Sequence, residues 1–323
     1  MKKLLYVYGG PEFHPTREAG KVLEDVLKSD GRFELEMTRD LDAFTGLSEG
    51  KFDVVVLYTT GFIDELTAER EKGLLEFVKN GGGFVGIHSA ADSFRGNRRY
   101  IEMLGNEFLY HPEIHEYTVS VVNKEHYITT RLEDYAITDE MYHLQNYDPA
   151  KVTLLAETPW KGKKMPLAYV KNYGEGRVAY LANGHDLRAW RNHAFQKLVV
   201  RSIAWVAGAE KPVRKLRCGL LGYGTTCSMG KGHGSWINST EGMETVAMCD
   251  RSPERVEVAK NEFPGLKGYF TDLDDMLAME GLDLVVIILP HNQHTPAAIK
   301  CLEAGKYVVL EKPFCINVNE ADN

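Results

Sequence analysis

Short, continuously apolar runs alternate along the chain with longer segments whose apolar residues recur at helical spacing. Leu4–Tyr8, Phe33–Met37, Val54–Tyr58 and Phe84–Ile87 are runs of the first kind. Apolar on both faces and bounded by turn residues, they predict strands of a parallel sheet covered on both sides. Arg17–Leu27 gathers Ala19, Val22, Leu23, Val26 and Leu27 on one face and predicts a helix. A second helix is expected from Thr67, a good N-cap, to Asn80, where Gly81-Gly82-Gly83 stops it. From Tyr117 to Tyr180 the pattern becomes strand-like, with turn signals at Gly162 and at Gly174-Glu175-Gly176. Arg177–Leu181 reads as a last core strand, and His193–Val206 as a closing helix ended by Gly208.

The polar, basic, proline-containing stretch Ala209–Leu216 is the best linker, and a new strand–helix series follows it. Leu216–Leu221, Thr245–Cys249, Leu284–Leu289 and Val308–Leu310 are its strands, with helices near Gly230–Ser239 and Thr295–Ala304. Two α/β domains are therefore expected, at residues 1–209 and 210–323. The last residues, Asn319–Asn323, read as the opening of a helix, so the second domain looks truncated. Strand edges left uncovered in that way would favour a homo-oligomer.

Composition narrows the function classes. The 323 residues are 44% apolar and 26% charged, enough for two ordinary cores. With 38 basic against 46 acidic residues, a net of -8, and no basic block, a nucleic-acid partner has no electrostatic support. No apolar run approaches the ~20 residues of a membrane helix. The apolar run after Lys2-Lys3 ends at Gly9-Gly10-Pro11 without a small-residue cleavage site, so it reads as a first strand, and a cytoplasmic protein is expected. The five cysteines (Cys218, Cys227, Cys249, Cys301, Cys315) all lie in the second domain, odd in number and without a CxxC pair. They read as reduced thiols, neither a disulfide framework nor a zinc knot.

Two groups of residues carry candidate chemistry. In the second domain Gly222-Tyr223-Gly224 follows a strand, where a tight turn lets a helix N-terminus face a pyrophosphate. The third glycine of the usual pattern would fall at Cys227, and the next one comes only at Gly230. Asp250 ends the following strand, placed to accept hydrogen bonds from ribose hydroxyls, at more than the usual ~20 residues. In the first domain His14, His88 and His185 each follow a predicted strand, at the carboxyl edge where open α/β sheets place ligands. Asp139, Glu140 and Asp186 could join them. Such a cluster suits a divalent metal, metal-free acid–base work or sugar binding, or simply satisfied structural histidines. His111, His115 and His193 read as surface or loop residues with no role. Among the aromatics near these turns (Phe13, Tyr142, Trp160, Trp190), Trp190 is the better pocket candidate, whereas Tyr6 and Tyr8 read as core.

Four stretches of the first domain resemble the ThuA-like family, named for trehalose utilisation: GGGFVGIHSAAD (Gly81–Asp92), ITDEMY (Ile137–Tyr142), MPLAYVKNYGEGRVAYLANGHD (Met165–Asp186) and SIAWVAG (Ser202–Gly208). The resemblance implies a class I glutamine amidotransferase-like (flavodoxin-like) sandwich tied to carbohydrate metabolism. In amidotransferases the turn after the strand that corresponds to Phe84–Ile87 presents a cysteine. Here His88 stands at the elbow and the domain has no cysteine, which excludes thiol-based glutaminase chemistry. A Ser89 nucleophile is a further alternative and predicts labelling by an active-serine reagent.

In the second domain Pro290–Pro296 (PHNQHTP) and Ala304–Pro313 (AGKYVVLEKP) are similar to the N-terminal half of the Gfo/Idh/MocA family of sugar oxidoreductases. That resemblance implies a Rossmann-type domain binding NAD or NADP across the glycine turn. Gly222, Gly224, Asp250, Arg251, Pro290, His294, Glu311, Lys312 and Pro313 would make up the cofactor site. Lys312 would lie beside the nicotinamide and the substrate hydroxyl, with Glu311 and Pro313 shaping the site around it. Asp250 suggests NAD, while Arg251 could hold a 2′-phosphate. The family's C-terminal domain, which supplies a catalytic histidine, is not represented. The joint expectation is an NAD(P)-dependent protein with a small-molecule carbohydrate substrate. His88, His185, Asp186, Asp139, Glu140 and Lys312 are its candidate catalytic residues, and His14, His88 and His185 its candidate metal ligands. The alternative is a non-catalytic sugar-binding or assembly module fused to a dinucleotide-binding domain.

Overall fold

The computed structural model describes residues 1–61, 65–211, 215–224, 229–240 and 242–322. Cys227, where a third turn glycine is expected, and Asn323 lie outside the described residues, as do residues 212–214 of the linker. The chain divides into two compact units, Met1–Pro212 and Val213–Asn323.

In the first unit the apolar runs become strands β1 (Lys2–Tyr8), β2 (Phe33–Thr38), β3 (Val54–Tyr58) and β4 (Gly83–Ile87). The strand-like middle of the chain supplies β5 (Glu107–Tyr110), β6 (His115–Val121), β7 (Tyr135–Asp139), β8 (His143–Gln145), β9 (Thr153–Trp160), β10 (Lys163–Tyr173) and β11 (Gly176–Leu181). One nine-stranded sheet runs in the order β2-β1-β3-β4-β11-β10-β9-β6-β7, and β5 pairs with β8 beside it. β2, β1, β3, β4 and β11 are parallel, and the remaining pairings of the large sheet are antiparallel. Each residue of β3 and β4 is fully buried, as continuous hydrophobic runs in a doubly covered sheet require.

Helices Thr16–Asp30, Ala68–Lys79 and His193–Val206 cover the sheet and bury one apolar stripe each. The Thr67 hydroxyl accepts from the Arg70 N–H as N-cap. The register decides where the site lies. Tyr8 pairs with Tyr58, Leu57 with Gly86, and Ile87 with Leu181, so four parallel strands end in line. The residues that follow these ends share one edge of the sheet, the edge at which a flavodoxin-like strand order reverses.

The second unit is a parallel sheet of β12 (Leu216–Leu221), β13 (Met243–Cys249), β14 (Gly268–Phe270), β15 (Leu284–Ile287) and β16 (Tyr307–Leu310), in the order β14-β13-β12-β15-β16. The helix expected near Gly230 spans Met229–Ser239, and that near Thr295 spans His294–Glu303. Helices Pro253–Glu262 and Leu273–Leu277 complete the alternation; the first is announced by its Ser252 N-cap and Pro253 in the opening turn. Val318–Ala321 forms a short last helix.

Candidate metal centre and dinucleotide pocket

His14, His88, Glu140 and His185 are all buried, and their donor atoms lie within 4.8 Å of one another. His14 comes from the loop after β1, His88 directly follows β4, and His185 lies just beyond β11. Glu140 follows β7 and is the hub. Its Oε2 is 3.3 Å from His88 Nε2, 3.2 Å from His185 Nδ1 and 4.0 Å from His14 Nε2.

The outer hydrogen bonds fix which ring atoms face inward. His88 Nδ1–H donates to the Ala182 carbonyl at 2.7 Å, a bond that the β4–β11 register makes available. Its Nε2 therefore carries a lone pair toward the carboxylate. The Thr60 hydroxyl donates to Ser89 Oγ, so it accepts from His14 Nδ1–H at 2.7 Å and leaves His14 Nε2 as a lone pair too. His14 Nε2 and His185 Nδ1 are buried without a hydrogen-bond partner. Two imidazole lone pairs aimed at a carboxylate oxygen repel one another unless a cation or protons lie between them. A divalent cation meets this need, and histidine ligands with their outer nitrogens tied to the protein are the usual companions of such an ion.

Backbone geometry adds to the picture. His88 adopts φ 47°, a left-handed conformation that costs a non-glycine residue about 1 kcal/mol or more and is seen where a side chain must be aimed. Tyr180 Oη donates to the His88 carbonyl, and the Tyr142 ring lies 4.0 Å from the imidazole, centroid to centroid.

Burial holds His14 below the ordinary histidine value and His88 at about 4, with Glu140 offsetting only part of the effect. His185 is pulled down by burial as well, but Glu140, with Asp139 and Asp186 behind it, outweighs burial and raises it. For Glu140 burial would raise the carboxyl; the ring nitrogens of His14, His185 and His88 outweigh this and hold it well below the usual carboxylate range. Of the three imidazoles, His185 is therefore the one whose charged form its surroundings favour.

The other residues singled out by sequence divide. Asp139 is buried and stands outside the cluster; its carboxylate accepts from the N–H groups of Glu140, Gly184 and His185 and from Asn183 Nδ2. It anchors two members of the cluster, Glu140 and His185, by their backbone. Asp186 also stands outside: its carboxylate caps helix Leu187–Trp190 and pairs with Arg188. Trp190 is core, stacked on Tyr58 with its indole N–H on the Gly184 carbonyl. Ser89 is fully buried and bonded to Thr60 rather than to a histidine, so an active-serine reagent is expected to leave it unlabelled in a mass-spectrometric digest.

The residue that sequence reasoning passed over is His111. Its Nε2 lies 3.4 Å from Glu140 Oε1, the carboxylate oxygen other than the one facing His14, His88 and His185, and its side chain is 36% exposed. The ring stacks on Tyr142, its Nδ1–H donates to the Pro112 carbonyl, and it is the partly exposed histidine beside a buried cluster. Phe13, edge-on to His14 and largely exposed, lies at the same surface.

In the second unit Gly222, Gly224, Asp250, Arg251 and Pro290 line one pocket of about 490 Å³ at the carboxyl ends of the strands. Gly222 has φ 98°, and a Cβ there would lie 2.5 Å from the Ile288 carbonyl. Gly230 lies close against the glycine turn, since a Cβ on it would lie 2.5 Å from the Tyr223 ring. The Asp250 carboxylate accepts from the N–H groups of Tyr223 and Ser252. His294, Glu311, Lys312 and Pro313 lie outside the pocket lining. His294 is fully buried with its two ring nitrogens against the carbonyls of Leu289 and Pro313, so it supports the Lys312 segment and has no free ring atom for a cofactor.

A ThuA family model, described as trehalose utilisation, matches residues 3–206. A model of an oxidoreductase family with an NAD-binding Rossmann fold, GFO_IDH_MocA, matches residues 216–323. The chain belongs to the ThuA family, with a Gfo/Idh/MocA NAD-binding Rossmann domain joined to it.

Similar proteins include an uncharacterized oxidoreductase, ORF334, of Rhizobium meliloti, 38% identical over 25% of this chain and 24% of its own length. Another is an inositol 2-dehydrogenase of Corynebacterium glutamicum, 34% identical over 31% of this chain and 29% of its own. The chain thus spans about a quarter to a third of these curated relatives. A crystal structure of a ThuA-like protein from Parabacteroides merdae covers 65% of this chain and 91% of its own, at 22% identity and a TM-score of 0.58, and shows the shared fold. Among the described residues no helix is long and apolar enough to cross a membrane.

Proposed function

We propose that the ThuA unit holds a divalent transition metal on His14, His88, Glu140 and His185 and acts there on a sugar or its oxidised keto form. The Rossmann unit is then the NAD(P)-binding half of a sugar oxidoreductase. The observation that carries this reading is the buried four-donor cluster, with lone pairs facing inward and two ring nitrogens otherwise unpartnered. Three imidazoles and a carboxylate suit zinc, manganese, iron or cobalt better than magnesium or calcium. Such an ion would supply a Lewis acid for a carbonyl oxygen.

Oxidation of a ring hydroxyl to a ketone acidifies the neighbouring C–H. A site that then removes that proton could eliminate, hydrate or isomerise the keto-sugar. Asp139 would hold Glu140 and His185 in position, and Lys312 would orient the hydroxyl that is oxidised. The Asp250 carboxylate in the pocket favours NAD, because a 2′-phosphate beside it would be repelled. The inositol dehydrogenase among the relatives supports a polyol or sugar as the substrate class.

Keto-glycoside turnover in His88→Ala and His185→Ala chains tests the reading. Loss of turnover with fold and sugar affinity retained supports the enzyme; loss of affinity alone, in a chain that never turns the keto-glycoside over, supports the binding module.

Metal affinity is expected to fall with pH. Metal competes with protons for the imidazole nitrogens, so binding weakens toward acid pH, and His185, raised above its ordinary value by Glu140, is the first imidazole to compete. His88 adds a second competing proton only near its own value of about 4. Calorimetric titration with zinc between pH 5 and 8 gives the slope, and a flat profile would contradict the assignment of His185 as a ligand.

A further inference from the structure

One side chain joins the helix that follows the glycine turn to the segment carrying Lys312. His233 lies in the helix Met229–Ser239 that opens after the glycine turn. Its Nε2 is 2.8 Å from Glu311 Oε1, and the pair is mostly shielded, with side-chain exposures of 16% and 28%. The imidazole is braced edge-on against the Trp236 ring, with centroids 5.2 Å apart. Glu311 passes the constraint on, since its Oε2 accepts from the Lys312 N–H at 3.1 Å.

The segment is secured on its other side by His294, which reaches the Pro313 carbonyl. These two attachments differ. His294 ties the segment to the Leu289 carbonyl, two residues beyond β15, whereas His233 ties it to the helix that follows the glycine turn.

We infer that His233 is a positioning residue that couples the phosphate-facing helix to the segment presenting Lys312, so that the nicotinamide end of the site is set by the helix that receives the pyrophosphate. This rests on the reading of the second unit as an NAD(P) site. The hydrogen bond from His233 is the leading cause of the lowered value of the Glu311 carboxyl, which agrees with a charge-assisted contact. Glu311 is thereby a relay within the protein, with both oxygens engaged, rather than a direct cofactor ligand.

The test compares NADH with ADP-ribose, which shares the adenosine and pyrophosphate but lacks the nicotinamide. Dissociation constants are measured on the full chain, by NADH fluorescence and by displacement with ADP-ribose. His233→Ala is expected to weaken NADH on the order of tenfold, the scale of one charge-assisted hydrogen bond, and to leave ADP-ribose within about twofold. His233→Gln, which keeps an N–H donor, should recover most of the loss, and Glu311→Gln should reproduce the selectivity of His233→Ala. Unchanged NADH binding in His233→Ala would overturn the inference, as would equal weakening of both ligands, which marks a role in helix folding alone. A wild-type chain that binds neither ligand would instead refute the NAD(P) reading, and the inference with it.

Discussion

Purified without chelator, the wild-type chain is expected to carry about one equivalent of a divalent transition metal, and the His88→Ala chain less than about a tenth of that. The expectation follows from how little else can satisfy the cluster. His88 is fully buried, and its Nδ1–H is committed to Ala182, so its lone pair has only Glu140 Oε2 to face. Protons could fill the gap, but burial disfavours the charged forms of His88 and His14, and only His185 is shifted toward its charged form.

Loss of a residue that merely orients a metal ligand costs 10–100-fold in affinity, and loss of a ligand costs more. Thr60→Val, which removes the acceptor of His14 Nδ1–H, should therefore sit between wild type and His88→Ala. Elemental analysis of the three chains, with zinc and manganese added back, measures the series. A wild-type chain that takes up neither ion, or a His88→Ala chain as full as wild type, would remove Lewis-acid chemistry from the proposed function. Acid–base catalysis and plain sugar binding would then be left to separate.

What the sequence could reveal about this site follows the distinction between local and long-range information. His14, His88 and His185 were legible because each follows an apolar run, and strand ends in a parallel sheet share an edge. Asp139 and Glu140 could not be told apart. Adjacent residues at a strand end point in opposite directions, and which of them meets the histidines depends on how β7 lies against the turn at residues 183–185.

Asp186 looked like a partner of His185, yet a local signal was present: an aspartate just before the short helix Leu187–Trp190 is an N-cap. His111 carried no such signal. It reaches Glu140 through the pairing of β5 with β8, a contact between segments far apart in the chain. In the second unit the strand and helix pattern exposed the Rossmann series, while the packing role of Gly230 against Tyr223 became visible only in three dimensions.

Asp139→Ala should be strongly damaging although it replaces no proposed ligand. It would strand the N–H groups of Glu140, Gly184 and His185 in a buried site, at about 1–3 kcal/mol each. Part of this is offset, because the carboxylate is itself costly to keep ionised. Burial pushes its pKa up to about 6 from 3.8, and the N–H donors counter only in part. A carboxyl raised in the folded state contributes stability that is complete below about pH 3.8 and is lost as pH rises through about 6. At neutral pH the ionised group thus carries a cost of about 3 kcal/mol, a shift of roughly two units at 1.36 kcal/mol each.

The net expectation for Asp139→Ala at pH 7 is a loss of about 2–4 kcal/mol, together with weakened metal binding as Glu140 and His185 lose their anchor. Asp139→Asn gives the complementary result. Relative to wild type it should gain about 2–3 kcal/mol between pH 4 and 7, whatever its offset at either end. Urea unfolding followed by tryptophan fluorescence reports mainly on this unit, since Trp160, Trp190 and Trp205 belong to it and Trp236 is the fourth. If the wild-type minus Asn difference is flat across that range, Asp139 titrates as an ordinary carboxyl, and its place beside the proposed metal ligands is not the desolvated one described.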